Sequence, residues 1–148
     1  VFGHLRYVVG TDINQLMPLL RAHLDKHGFS DITIISERAP MHATRLDPDH
    51  PWAKWAIHSL EKTADGEIAV VPNLGGSLPN DVFADLLGLP TIWVPHSYAG
   101  CSQHAPNEHI LESISKSALR LMTGLWWDLG EGNTPRQVSE SGLLMGIA

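Results

Sequence analysis

The chain has 148 residues, 43% of them apolar, with its charges interspersed rather than blocked; this argues against wholesale disorder and allows one domain or two small pieces of a larger architecture. A formal net charge of −6 argues against a nucleic-acid or anionic-membrane surface, since those partners need clustered Lys and Arg. No apolar run approaches the roughly 20 residues of a membrane helix, and the single Cys101 forbids an internal disulfide, which suits a reducing, cytoplasmic setting.

Residues 2–9 are β-rich and predict a strand that is already under way at Val1, as in a fragment of a longer chain. Asp12 or Asn14 can cap a helix in which Ile13, Leu16, Met17, Leu20 and Leu24 recur at helical spacing, and Pro18 favours the later start. Gly28 suits the position just past the helix end, and Asp31–Ser36 (DITIIS) predicts a returning strand. His4, His23 and His27 have no ligand-like company in this segment and read as ordinary surface or core histidines.

A polar stretch with Pro40, Pro48 and Pro51 marks the expected boundary between units. Pro51 suits a first helical position, and Trp52, Trp55, Ala56 and Leu60 form an apolar stripe before Gly66. A short strand (Ile68–Val71), a loop (Asn73–Pro79), a short helix (Asn80–Leu87, with Asn80 as its cap) and a further strand (Thr91–Val94) follow. Ile114, Ala118, Leu121, Met122 and Leu125 then predict a long helix ending near Gly130, and residues 131–148 read as a tail. Strands alternating with helices predict an α/β fold.

Two motifs carry candidate chemistry. Gly75-Gly76-Ser77-Leu78-Pro79-Asn80 lies between a predicted strand and a helix. Adjacent glycines let a ligand approach the backbone closely, the helix start adds positive partial charge, and Ser77 adds a hydroxyl donor. That makes a cradle for a carboxylate or phosphate; a plain Gly-rich turn is the alternative. It is not a Walker loop, because no Lys follows the glycines. The second motif is His104, followed by Ala105-Pro106-Asn107-Glu108 and then by helical periodicity. Neutral imidazole is a common zinc ligand, and His104 lies in the loop beyond the second of two strands whose carboxyl ends could share a rim with the Gly-rich loop.

GGSLP, then a strand, then HAPNE and a long amphipathic helix resembles the C-terminal part of the co-catalytic zinc aminoacylase/carboxypeptidase family, metallopeptidase family M twenty. That family includes acetylornithine deacetylase, succinyl-diaminopimelate desuccinylase and dipeptidases. The resemblance spans most of residues 4–130. It implies that His104 binds one of two zinc ions, that Gly75, Gly76 and Ser77 hold a substrate carboxylate, and that Arg6, within HLR at 4–6, grips the substrate from a lid domain. A planar guanidinium suits that task, since it can meet a carboxylate with paired hydrogen bonds. Asn107 and Glu108 are then expected to shape the loop and orient His104, and His42 to reach substrate; His96 and Cys101 are structural.

Family members also carry an upstream His-Asp motif, a metal-bridging Asp and a Glu pair, and none of these is present in this sequence. No catalytic residue is therefore expected in this chain. The implied architecture is the second half of a ferredoxin-like α+β lid (1–41), the second half of a zinc-peptidase-type α/β catalytic domain (42–130) and a tail (131–148). The implied activity of the parent is hydrolysis of a dipeptide or N-acyl amino acid, next to its free carboxylate, by a homodimer. This chain would need the N-terminal half of the same protein and would be inactive alone. The rival expectation is a non-catalytic binding or dimerisation module.

Overall fold

The structure, a computed structural model, describes residues 1–35, 41–71 and 73–135. They fall into two compact units, Val1–Arg45 with Asn73–Thr91, and Leu46–Pro72 with Ile92–Ala148. The predicted segments at 1–41 and 42–130 divide the chain differently, since Asn73–Thr91 clusters with the opening residues.

In the first unit, Asp12 accepts from the Asn14 backbone N–H at 3.0 Å and starts a 3-10 turn, Ile13–Gln15, that runs into helix α1, Leu16–Lys26. The 3-10 turn places Pro18 in the first turn of α1, where no helical N–H is needed from it. At the other end Gly28 has φ +83°, its N–H reaches the Asp25 carbonyl, and the Phe29 N–H reaches Leu24. This is the glycine-capped ending predicted from the sequence. Arg21 then donates to the carbonyls of Phe29 (2.9 Å) and Ile32 (2.5 Å) while pairing with Asp25 at 2.7 Å.

The expected strands do not form. Among the described residues there is no β-ladder, and 2–8, 32–35, 68–71 and 91–94 are irregular. The expected α/β class, including the ferredoxin-like half-lid and the α/β half-domain, is met only in its helices. The physical reason is pairing: β composition favours a pleated surface, but a strand exists only if a neighbour takes its N–H and C=O groups. Here Ile32 gives its carbonyl to Arg21, and the opening segment ends in a turn closed by Thr11 N–H to Val8 O around Gly10, φ +87°. Most side chains of these segments stay exposed, with Phe2 at 85% and Val8 at 75% of full accessibility. No described residue of the first unit is buried. The final residue of the DITIIS segment, Ser36, and most of the expected tail lie outside the described residues.

The second unit has the helix pair that the periodicity predicts. Helix α2, Pro51–Thr63, opens on His50, whose Nδ1 accepts from the Trp52 N–H at 3.2 Å, with Pro51 in the first turn. Its inward face buries Ala56, Ser59 and Leu60, while Trp52 and Trp55 meet edge to face at 5.4 Å. Helix α3, Glu112–Gly130, packs against α2, and Ile114, Ala118, Leu121, Met122 and Leu125 are half-buried as expected.

Gly124 sets how closely the two helices approach: a Cβ there would lie 2.4 Å from Thr63 Cγ2 and 3.2 Å from Thr63 Cβ. One helical turn to either side of Gly124, ion pairs cross the contact. Arg120 reaches Asp65, and Lys62 reaches Asp128 at 3.0 Å. Ser59 Oγ is buried without a hydrogen bond of good geometry, yet it lies close enough to Asp128 to act on its acidity. The Ser59 hydroxyl, followed by the Lys62 ammonium, holds the Asp128 carboxyl below its ordinary value near 3.8.

Gly124→Val should destabilise the second unit by about 1–3 kcal/mol in urea unfolding, an overpacking cost, with Thr63→Ala in the same chain recovering part of it. Because the folded acidity constant of Asp128 is depressed, its contribution is present above pH 3.8 and is lost as pH falls through the lower folded value. Asp128→Asn should flatten that part of the acid-unfolding curve, followed by the Trp fluorescence of the α2–α3 pair.

Candidate functional site

Within the first unit, residues far apart in sequence converge on the Gly-rich loop. Arg6 Nη1 donates to the Gly75 carbonyl at 2.9 Å, which joins two of the residues singled out from sequence. That bond uses one N–H of the guanidinium fork, and among the described residues no carboxylate pairs with Arg6. The neighbouring Tyr7 hydroxyl donates to the Met41 carbonyl, so the opening segment also holds the residue before His42. The His42 backbone N–H donates to Asp81 Oδ2 at 3.1 Å. His42, Gly75, Gly76 and Ser77 are all exposed.

Asn80 does not cap the following helix. Its side-chain amide nitrogen lies 2.6 Å from Thr44 Oγ1 and 2.8 Å from Thr91 Oγ1, so the donor is spent on tying three stretches of chain together. The predicted short helix is present over 80–86, but Val82–Leu86 is wound as a π turn, closed by Leu87 N–H to Val82 O and followed by Gly88 at φ +62°. Thr44, Asp81 and Thr91 were not visible as functional candidates in the sequence, and Asn80 was legible only as a helix cap. Isolated polar residues in loops are common, and only the fold shows which of them meet.

Gly75 is informative for what does not constrain it. It does not have a left-handed backbone, and a Cβ there would meet nothing within 4 Å. Neither a strained turn nor a close chain contact requires glycine; Gly75 is exposed, and the Arg6 guanidinium meets it at its carbonyl.

His104 belongs to the second unit, in an exposed loop. Its φ is +62°, and Ser102 (+56°) and Asn107 (+65°) are also left-handed, an uncommon conformation for residues with a Cβ. Glu108 Oε2 accepts from the His104 backbone N–H at 3.2 Å, so Glu108 acts on the backbone of His104. The Asn107 carbonyl lies 2.8 Å from His109 Nδ1, and His109 Nε2 lies 2.7 Å from the Tyr98 hydroxyl. Cys101, within the same loop, is buried at 6% of full accessibility. Among the described residues no group of three or more His, Cys, Asp or Glu is placed to hold a metal. The zinc implied by the resemblance is therefore not accommodated by these residues alone.

No family model matches the chain, and comparison with curated proteins and with solved structures yields no significant match.

The Asn80 tie should be measurable by itself. Asn80→Ala removes two hydrogen bonds and should cost about 1–3 kcal/mol in equilibrium denaturation. Hydrogen exchange should quicken at the His42 amide, whose Asp81 acceptor adjoins Asn80, while the α2–α3 amides stay unchanged.

Proposed function

We propose that this chain is the carboxylate-binding portion of a zinc-dependent hydrolase that cleaves an amide or peptide bond adjacent to a free carboxylate, in a dipeptide or an N-acyl amino acid. The observation that carries the reading is the meeting of Arg6 with Gly75, a glycine with no internal cause. A guanidinium beside a side-chain-free loop offers a carboxylate charge-assisted N–H donors and room to approach the backbone. Ser77 adds a hydroxyl, and His42 stands in the same unit on a segment anchored by Asp81.

On this reading the substrate carboxylate is held by Arg6, Gly75, Gly76 and Ser77. His104 supplies one ligand to a zinc site completed by groups outside the described residues, in an assembly with the N-terminal half of the same protein and a second copy. The fold proposed for that assembly is the ferredoxin-like lid plus α/β catalytic domain. Its strands would form on segments that stand exposed and unladdered here, among them those bearing Phe2, Leu5 and Val8. Those exposed apolar side chains also favour a second reading, a binding or dimerisation module without catalysis.

Calorimetric titration separates the two. The chain should bind an N-acetyl amino acid through its carboxylate, with the corresponding primary amide roughly tenfold weaker, the loss expected for a charge-assisted hydrogen bond. Arg6→Ala should erase the difference between the two ligands, and Gly76→Val should weaken both by filling the cradle. Equal binding of acid and amide by the unaltered chain would remove the carboxylate reading and leave the module.

A further inference from the structure

The loop that carries His104 is closed by a pair of side chains that the proposed function does not use. Tyr98 and His109 are 11 positions apart, yet the Tyr98 hydroxyl lies 2.7 Å from His109 Nε2 and the rings meet edge to face, with centroids 5.9 Å apart. On the other side of the imidazole, Nδ1 lies 2.8 Å from the Asn107 carbonyl. A carbonyl oxygen can only accept, so Nδ1 must carry a hydrogen. In the neutral ring Nε2 is then the acceptor, and the Tyr98 hydroxyl donates to it. The two contacts together select one tautomer of His109.

The backbone closes over the same span. The Cys101 N–H donates to the Tyr98 carbonyl at 3.1 Å and the His109 N–H donates to the Cys101 carbonyl at 3.0 Å. Cys101 is the buried anchor of this closure. Gly100 leaves room for the Tyr98 ring, since a Cβ there would stand 3.1 Å from Tyr98 Cε2. A compact loop whose ends meet and whose own side chains pack it is held as a unit. Inside it lie Ser102, His104 and Asn107, all left-handed. Such residues persist where their surroundings over-determine them.

We infer that the Tyr98–His109 pair is a clasp that holds His104 in its left-handed conformation, which makes His109 a positioning residue for the loop. Glu108, bonded to the His104 N–H, completes the hold from within the loop. The functional weight of the clasp rests on the reading of His104 as the working side chain of this loop; its geometry does not.

The test is imidazole and amide NMR on the 148-residue chain. His109 should show the Nδ1–H tautomer. Tyr98→Phe keeps the ring and removes the donor; it should change the HN–Hα coupling of His104. It should also speed exchange of the His109 amide roughly fivefold, the worth of one hydrogen bond. His109→Ala should reproduce the change at His104, and His109→Gln, which keeps an acceptor and a donor, should restore the original coupling. An Nε2–H tautomer in the unaltered chain overturns the clasp, as does a His104 coupling unchanged by both Tyr98→Phe and His109→Ala. The tautomer is read on the unaltered chain, so a variant that fails to fold leaves the test decisive. Zinc chloride added to the unaltered chain tests the other reading separately. Shifts at other histidines with none at His104 would overturn the zinc-ligand role, while the tautomer and coupling still judge the clasp.

Discussion

Every buried or half-buried backbone N–H and C=O needs a partner, and among the described residues no sheet provides one. Side chains take over part of that work. Arg21 collects the carbonyls of Phe29 and Ile32, Arg6 takes Gly75, Tyr7 takes Met41, and Asp81 receives the His42 N–H. These long-reach bonds join stretches that helices do not connect. They also explain why the first unit can bring Arg6 to the Gly-rich loop while burying none of its described residues. Each such bond is worth little once exposed to water, so the first unit depends on several acting together.

The second unit is held differently. Among the described residues its buried side chains are Ala56, Ser59, Leu60 and Cys101, so close approach of α2 and α3 matters more than bulk. Gly124 permits that approach at Thr63, and the Arg120–Asp65 and Lys62–Asp128 pairs flank it. Each pair keeps at least one partner well exposed to water, so each adds little to stability. The Asp128 carboxylate is the exception in kind, because it also meets the buried Ser59 hydroxyl.

The candidate chemistry is divided in the same way. The residues suited to a carboxylate, Arg6 and the Gly75–Ser77 loop, belong to the first unit, and His104 belongs to the second. In the first unit the feature is an unobstructed glycine whose carbonyl is bonded to Arg6. In the second it is a tightly specified backbone, with three left-handed residues in a loop closed by Tyr98 and His109. Openness and constraint are the two ways in which a fold prepares a binding group, and each has a distinct physical signature.

The helices were legible in the bare sequence. Helical spacing of Leu16, Leu20 and Leu24, of Ala56 and Leu60, and of Ile114 through Leu125 located α1, α2 and α3, and Asp12, Pro51 and Gly28 marked their ends. These signals are local, since a helix satisfies its own backbone within a few residues. The same reading failed for strands, because segments such as Ile68–Val71 and 2–9 carry β preference but cannot supply the neighbour that a ladder requires. Arg6 and the Gly-rich loop were legible as types of residue suited to a carboxylate, but their meeting was not. Asn80 read as a cap until the fold showed its amide tied to Thr44 and Thr91. Tyr98 and His109 left no mark in the sequence at all, because a hydrogen bond across 11 positions of irregular chain has no periodicity to announce it. Which isolated polar side chains meet was settled by the folded chain alone, since that depends on the path of every residue between them.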